Sequence, residues 1–85
     1  MNNLYKIEFK KKARKFIENQ SKEDRIRIIN AIRKLPYGDV KKLQNNKGYY
    51  RLRVGDIRVI FEKKQDIFII IIIDIGNRGQ IYNKY

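Results

Sequence analysis

The stretch YYRLRVGDIRVIFE, residues 49–62, decides the fold. Apolar and polar side chains alternate on both sides of Gly55-Asp56, and strict alternation of this length is typical of β-strands with one buried face. A two-residue loop that begins with glycine suits a type II′ turn, which joins antiparallel strands. The pattern therefore predicts a β-hairpin in which Arg53 lies directly opposite Arg58.

The segment before this hairpin predicts one strand and two helices. Alternation indicates a strand over Leu4–Phe9, and apolar residues at helical spacing indicate a helix from Lys10 to about Gln20. Ser21, with an acidic residue three positions later, resembles a capping box at the start of a second helix. Pro36 and Gly38 should end that helix. Two helices joined by so few residues should form an antiparallel hairpin.

The remaining stretches complete the predicted topology. The run Ile67–Asp74 is apolar on both faces, which predicts a central or covered strand. A polar loop is expected before Tyr49, and a second loop at Gly76, Asn77 and Gly79. The element order is then β-α-α-β-β-β. This order is typical of an α+β fold in which a helix hairpin packs on one face of a mostly antiparallel, twisted sheet.

Length and composition restrict the class of protein. The chain has 85 residues, which we expect to form one domain over residues 1–85, and a net charge of +12. It contains neither cysteine nor histidine, which excludes disulfide scaffolds, thiol nucleophiles and histidine-based catalysis. The N-terminal stretch MNNLYKIEF has no apolar region of the signal-peptide kind, and the longest apolar run, residues 67–73, is far too short to span a membrane. We therefore expect a cytoplasmic protein without a cofactor or a membrane partner, whose first candidate partner is nucleic acid.

The basic residues differ in kind along the chain. Residues 1–50 carry ten lysines and four arginines against five acids, whereas residues 51–85 carry three lysines and four arginines against four acids. The first half should attract phosphates diffusely, although a solvated helix face would look the same. Tyr49 could stack on a base beside the arginines. The candidate nucleic-acid-binding residues are Lys10, Lys11, Lys12, Arg14, Lys15, Lys42 and Tyr49.

The hairpin register brings arginines together on one face. Arg51, Arg53 and Arg58 should share the face that is opposite the aliphatic one, and like charges paired directly across strands are destabilising. Such a pair needs either a nearby carboxylate or an anionic ligand. Glu62 and Asp74 are the candidate carboxylates, but neither lies close to Arg53 in the register. A phosphate ligand is the favoured interpretation, and internal ion pairing is the alternative.

A competing motif concerns metal-dependent nucleases. Asp56 followed by Glu62-Lys63-Lys64 imitates their D…E-x-K spacing. The gap is short, Asp56 is needed by the hairpin turn, and the lysine pair suits a second turn. We therefore predict no metal site.

Three sequence strings resemble a known family. They are Lys42-Leu43, the run YRLRVGDIRVIF from Tyr50 to Phe61, and the run IGNRGQIY from Ile75 to Tyr82. Together they resemble the RelE-type toxins of the RelE/ParE superfamily, from type II toxin–antitoxin modules. The likeness extends over nearly the whole chain, and the predicted element order is also that of the family.

The resemblance implies an mRNA endoribonuclease that needs no metal and cuts the A-site codon on the ribosome. The ribose 2′-OH would attack the adjacent phosphate, leaving a cyclic phosphate and a 5′-OH. It also implies an acidic antitoxin as a partner, besides the ribosome and mRNA. The implied catalytic residues are Arg51 and Arg53 for proton transfer and charge stabilisation, Arg58 and Arg78 for phosphate, and Tyr82 for stacking or proton transfer.

One departure from the family concerns the general base. The family's two basic strand positions are often lysine, and some relatives add a histidine, whereas this chain has Arg51 and Arg53 and no histidine. Arginine stays protonated above pH ~12, so it is a poor base. Tyr82 is the best remaining candidate. Two alternatives stay open: a ParE-like inhibitor of DNA gyrase, and a non-catalytic basic protein that binds RNA or the ribosome.

Overall fold

The computed structural model describes residues 4–44, 48–81 and 85. Within these residues, five strands and three helices follow one another, with a single 3₁₀ turn at Gln65–Ile67. The strands are β1 (Lys6–Phe9), β2 (Val40–Lys42), β3 (Tyr49–Val54), β4 (Ile57–Lys64) and β5 (Ile69–Asn77). The helices are α1 (Lys11–Glu18), α2 (Lys22–Arg33) and α3 (Arg78–Ile81).

The strands form one mixed sheet in the order β1-β5-β4-β3-β2. Strand β1 runs parallel to β5, and every other neighbouring pair is antiparallel. The predicted hairpin is confirmed residue by residue, with Leu52 opposite Val59 and Arg53 opposite Arg58. The predicted central strand is confirmed as β5, which has a partner on each side. The α+β class and the mostly antiparallel sheet are therefore as the sequence indicated.

The helix hairpin covers one face of the sheet, where the core lies. Ser21 caps α2 as predicted, because its Oγ accepts a hydrogen bond from the backbone N–H of Asp24 at 3.2 Å. The two helices bring apolar side chains onto the aliphatic face of the β3–β4 hairpin and onto β5. The core residues are Ala13, Ile28, Ile32, Leu35, Leu52, Val54, Ile57, Val59, Phe61, Ile70, Ile72 and Ile75.

A β-bulge in β5 decides which face receives Asp74. Ile60 pairs with Asp74 and Phe61 pairs with Ile72, so Ile73 is an extra residue in β5. In a regular strand Ile72 and Asp74 would share the core face, because side chains alternate with a period of two. The extra residue instead places Asp74 beside Ile60 on the opposite face and returns Ile75 to the core.

Three expected boundaries need correction. The predicted polar loop before Tyr49 contains β2, three residues that pair with β3. The predicted loop at Gly76, Asn77 and Gly79 is instead the end of β5 followed by one turn of helix, α3. The third long strand begins at Ile69 rather than Ile67, because Phe68 adopts a left-handed backbone conformation with φ of 54°.

Within the described residues, no helix combines the length and the apolar character that crossing a bilayer requires.

Candidate functional site

The sheet face that carries Arg51, Arg53 and Arg58, opposite α1 and α2, is called the arginine face here. Its side chains lie in rows across the strands. In one row, Asp74, Ile60, Arg51 and Lys41 follow one another from β5 to β2. In the adjacent row, Gly76 and Arg58 precede Arg53. The register therefore brings together the three arginines that the hairpin pattern predicted.

Asp39 holds two of these arginines. Its Oδ2 accepts a hydrogen bond from Arg53 Nε at 2.6 Å, and its Oδ1 accepts one from Arg51 Nη1 at 3.3 Å. Backbone contacts fix Asp39 in place, since its carbonyl oxygen accepts from the Arg53 N–H at 3.0 Å. Arg53 therefore has a carboxylate close by, and it is neither of the two candidates, Glu62 and Asp74. Asp39 stands just before β2, outside the hairpin whose alternation pattern pointed to Glu62 and Asp74.

The two arginines lower the pKa of the Asp39 carboxyl below its ordinary value of 3.8, and the hydrogen bond from Arg51 is the main cause. The contact with Arg53 is the shorter of the two. The Arg51 side chain, however, is 15% exposed against 55% for Arg53, so solvent screens its interaction less. Asp39 is thus a carboxylate at neutral pH, and it offsets part of the repulsion between the arginines.

Arg58 is buried, unlike Arg53 on the next strand. Only 6% of its surface is exposed. Its Nη1 donates to the carbonyl oxygens of Gly55 at 2.7 Å and Ile57 at 3.1 Å. Arg58 therefore stabilises the turn of its own hairpin, a role that the sequence pattern did not indicate.

Helix α3 covers the end of the arginine face beside the turn. Its first residue, Arg78, donates its backbone N–H to the carbonyl oxygen of Asp56 in that turn at 2.9 Å. Ile81 packs on Gly76, where a Cβ atom would lie 3.2 Å from Ile81 Cδ1. Arg78 is exposed and stands at the same end of the sheet as Arg53 and Arg58. Tyr82, the fifth predicted catalytic residue, lies outside the described residues.

A second cluster, which the sequence analysis missed, surrounds Asp74. This carboxylate is 4% exposed and accepts the backbone N–H of Ile75 at 2.9 Å and the hydroxyl of Tyr85 at 3.2 Å. Lys12 Nζ lies 3.4 Å from Asp74 Oδ2. The ring of Tyr85 meets that of Tyr49 edge to face, with centroids 5.9 Å apart. Through Lys12 and Tyr85, the cluster connects α1 and Tyr85 to Asp74, which lies in the same row of the sheet as Arg51.

This environment changes the titration of Lys12. A hydrogen bond with Tyr85 and then the charge of Asp74 raise the pKa of the Lys12 amine above its ordinary value of 10.5. Lys12, one of the predicted nucleic-acid-binding residues, is thus a charged partner of an internal carboxylate. Its side chain remains 57% exposed.

The other predicted nucleic-acid-binding residues lie on two surfaces. Four of them are exposed at the start of α1 or along it: Lys10, Lys11, Arg14 and Lys15. Lys42 is exposed on β2, where it lines a shallow groove of about 330 Å³ with Lys41, Leu43, Gln44 and Arg51. Tyr49 lies on the arginine face in contact with Tyr85. The structure thus brings Tyr49 and Lys42 near Arg51.

The two acidic residues of the D…E-x-K spacing, Asp56 and Glu62, are far apart. Asp56 lies in the hairpin turn, and Glu62 lies six residues along the same extended chain, a span of about 20 Å. Glu62 Oε2 is 3.6 Å from Lys64 Nζ. Among the residues that the structure describes, no group of three acidic side chains is placed to hold a metal ion.

Comparison with known proteins shows which solved structures share this fold. No protein-family model and no curated protein matches the sequence. Among solved structures, the RelE–RelB complex of Pyrococcus horikoshii matches with a TM-score of 0.75 and 26% identity, over 91% of this chain and 98% of that one. The RelB–RelE complex of Methanococcus jannaschii matches with a TM-score of 0.72 and 27% identity, over 92% and 98%. The isolated Escherichia coli RelE toxin matches with a TM-score of 0.66 and 15% identity, over 94% and 93%.

The fold and these neighbours define the class as the small α+β toxins of toxin–antitoxin systems. Within this class, the two archaeal chains confirm the resemblance to RelE-type toxins that the sequence motifs indicated. YoeB of Staphylococcus aureus and YafQ of E. coli share the same fold. The comparisons thereby support a toxin role for this chain.

Proposed function

We propose that the protein is the toxin of a type II module and that it cleaves mRNA in the ribosomal A site. The observation that carries the proposal is the grouping of Arg51, Arg53 and Arg58 on one sheet face, with the backbone of Arg78 bonded to the hairpin turn at the same end. Fixed guanidinium groups match the charge and geometry of a phosphate. A phosphodiester under attack gains negative charge, which such groups stabilise most in the transition state.

The reaction follows from the resemblance. The ribose 2′-oxygen forms a bond to phosphorus while the bond from phosphorus to the 5′-oxygen breaks, which yields a cyclic phosphate and a 5′-OH. The 2′-OH proton passes to a base, for which Tyr82 remains our proposal, and the leaving oxygen takes up a proton. On the arginine face Arg53 is exposed and Arg51 is partly exposed, and both would contact the reacting phosphate directly. Arg58, being buried, would act from beneath it.

The ribosome would orient the RNA strand on this small chain. The described surface offers a face of arginines and a shallow groove beside Arg51, where a strand held by the ribosome would lie. The exposed cations of α1 would bind ribosomal RNA phosphates, and binding of that kind weakens steeply with salt. We accordingly propose that the protein acts in the cytoplasm, where ribosomes and mRNA are its targets.

An acidic antitoxin is the other proposed partner. Both archaeal neighbours are toxins in complex with RelB antitoxins. The net charge of +12 would favour an acidic partner. An apolar patch at the start of β1 and β5 supports a protein contact, because Leu4, Ile67 and Phe68 are 81%, 56% and 49% exposed.

The test is cleavage of one mRNA with and without ribosomes, mapped by primer extension, beside a gyrase supercoiling assay. We expect cuts in the A-site codon of programmed ribosomes and little cutting of the free mRNA. Equal cutting of free mRNA would reject the ribosome requirement. Inhibition of gyrase without any cleavage would favour the ParE-like alternative. Binding to ribosomes with neither effect would favour a non-catalytic protein.

A further inference from the structure

The carboxylate of Asp39 lies between Arg51 and Arg53, the pair that the proposed function assigns to phosphate binding. Each carboxylate oxygen accepts a hydrogen bond from a different arginine, at 3.3 Å from Arg51 Nη1 and at 2.6 Å from Arg53 Nε. Two non-bridging oxygens of a phosphodiester would seek the same two donors. An anion that approaches this pair therefore meets a negative charge already in place.

Asp39 is held there by the backbone. The Arg53 N–H donates to its carbonyl oxygen at 3.0 Å, and Arg51 Nη1 reaches the same oxygen at 3.2 Å. The next residue, Val40, begins β2 opposite Leu52. The carboxylate thus projects from the residue just before β2, whose backbone is bonded to β3 beside the two arginines.

We propose that Asp39 is a specificity-determining residue: it competes with phosphate for Arg51 and Arg53, and only a substrate held by further contacts displaces it. This inference rests on the proposed function of the arginine face. Asp39 reduces the local charge of the pair from +2 to +1, which weakens the capture of any RNA that passes by. The negative charge of Asp39 repels RNA phosphates and thereby makes the chain more selective between ribosome-bound mRNA and free RNA.

The competition is weak enough to be overcome. The Asp39 side chain is 44% exposed, and ion pairs between exposed groups contribute little because water and salt screen them. A codon presented on the ribosome would bring the reacting phosphate to Arg51 and Arg53 while other contacts hold the strand in place. Free RNA lacks those additional contacts, so the internal carboxylate competes with it more effectively. Asp39 would thus contribute to the preference for ribosome-bound mRNA.

The experiment measures binding of a short RNA without the ribosome. The probe is a fluorescent single-stranded hexanucleotide with 2′-O-methyl riboses, which cannot be cut by 2′-OH attack, and affinity is read from anisotropy at one ionic strength. Asp39→Asn is compared with Asp66→Asn. Asp66 is exposed in the 3₁₀ turn at the opposite end of β4, far from Arg51 and Arg53. Each variant loses one carboxylate, so the net charge of the chain rises by the same amount in both.

We expect Asp39→Asn to bind the probe roughly threefold to tenfold more tightly than Asp66→Asn does. Equal or weaker binding by Asp39→Asn would overturn the proposal, because a residue that only positions the arginines would lose affinity when it is replaced. Asp39→Glu keeps the charge and should bind no more tightly than the natural chain. Tighter binding by that variant would also contradict the competition.

Cleavage assays separate this inference from the proposed function. With active protein, Asp39→Asn should raise the cutting of free mRNA relative to ribosome-bound mRNA, whereas Asp66→Asn should leave that ratio unchanged. An unchanged ratio in Asp39→Asn would count against the selectivity. If the natural chain cuts no RNA at all, the proposed function fails, and the binding comparison still decides whether Asp39 competes with phosphate.

Discussion

The two faces of the sheet are built from the same strands and have opposite characters. On the helix-covered face, Leu52, Val59 and Phe61 are fully buried in one apolar core. On the arginine face, the alternate positions carry Arg51, Arg53 and Arg58. Because side chains alternate along a strand, a single hairpin sequence supplies both a core and a charged surface. Arg58 is an exception, since it is 6% exposed, close to the 7% and 5% of the core residues Val54 and Ile57.

The largest loss of stability should come from a substitution on the helix-covered face. Phe61→Ala removes a fully buried ring from the core and should lower the free energy of unfolding by about 3–5 kcal/mol. A domain of this size has only about 5–15 kcal/mol to lose, so the variant should be close to unfolding. Denaturant titration measures the change. A loss below about 1 kcal/mol would mean that the helices do not pack on this face as described.

Arg53 and Arg58 pair across the hairpin, and their substitution should have different effects on stability, the larger of them intermediate in size. Arg58→Gln removes a buried side chain that bonds two carbonyl oxygens of its turn, and should cost about 1–3 kcal/mol of stability. The control, Arg53→Gln, changes a side chain that is 55% exposed and should leave the melting temperature nearly unchanged. Equal melting temperatures for the two variants would contradict a structural role for Arg58.

The smallest effect concerns Lys12 and depends on pH. Its pKa is raised in the folded chain, so its contribution is complete below the ordinary value of 10.5 and is lost as the pH rises through the folded value. Lys12→Met should therefore melt about 1–3 °C below the control Lys11→Met at pH 7–9. The difference should vanish at higher pH. A difference that persists unchanged when the pH is raised well above 10.5 would show that the ion pair with Asp74 is not its cause.

The sequence predicted most of the fold because its strongest signals are local. Alternation around Gly55-Asp56 determined the hairpin register, and Ser21 marked the start of α2. Strand β2 has no comparable signal, since it is three residues long and is held by pairing with β3. The short helix α3 follows directly on β5 and is stabilised by packing of Ile81 on Gly76, which is a tertiary contact.

The site was predicted only in part, because some of its contacts join residues that are far apart in the sequence. The register placed Arg51, Arg53 and Arg58 on one face, but alternation says nothing about what covers that face. Asp39 lies 12 and 14 positions before its two arginines, so no local pattern connects them. The place of Asp74 depends on a bulge, and a run of identical isoleucines gives no indication of where an extra residue lies.

We expect the arginine face, and not the basic charge of the chain as a whole, to be responsible for mRNA cleavage. Arg51→Gln is a more direct test than Arg58→Gln, because loss of the buried Arg58 would also weaken the fold. The matched control is Arg25→Gln, an exposed arginine of α2, the helix that covers the opposite face. Both variants carry the same net charge.

The decisive measurement is the single-turnover rate of A-site cleavage on programmed ribosomes for the natural chain and these two variants. We predict that Arg51→Gln cuts about 10²-fold more slowly, the usual cost of removing one donor to a developing negative charge. Arg25→Gln should cut at the natural rate. Natural rates for a folded Arg51→Gln, or equal losses for both variants, would contradict the account.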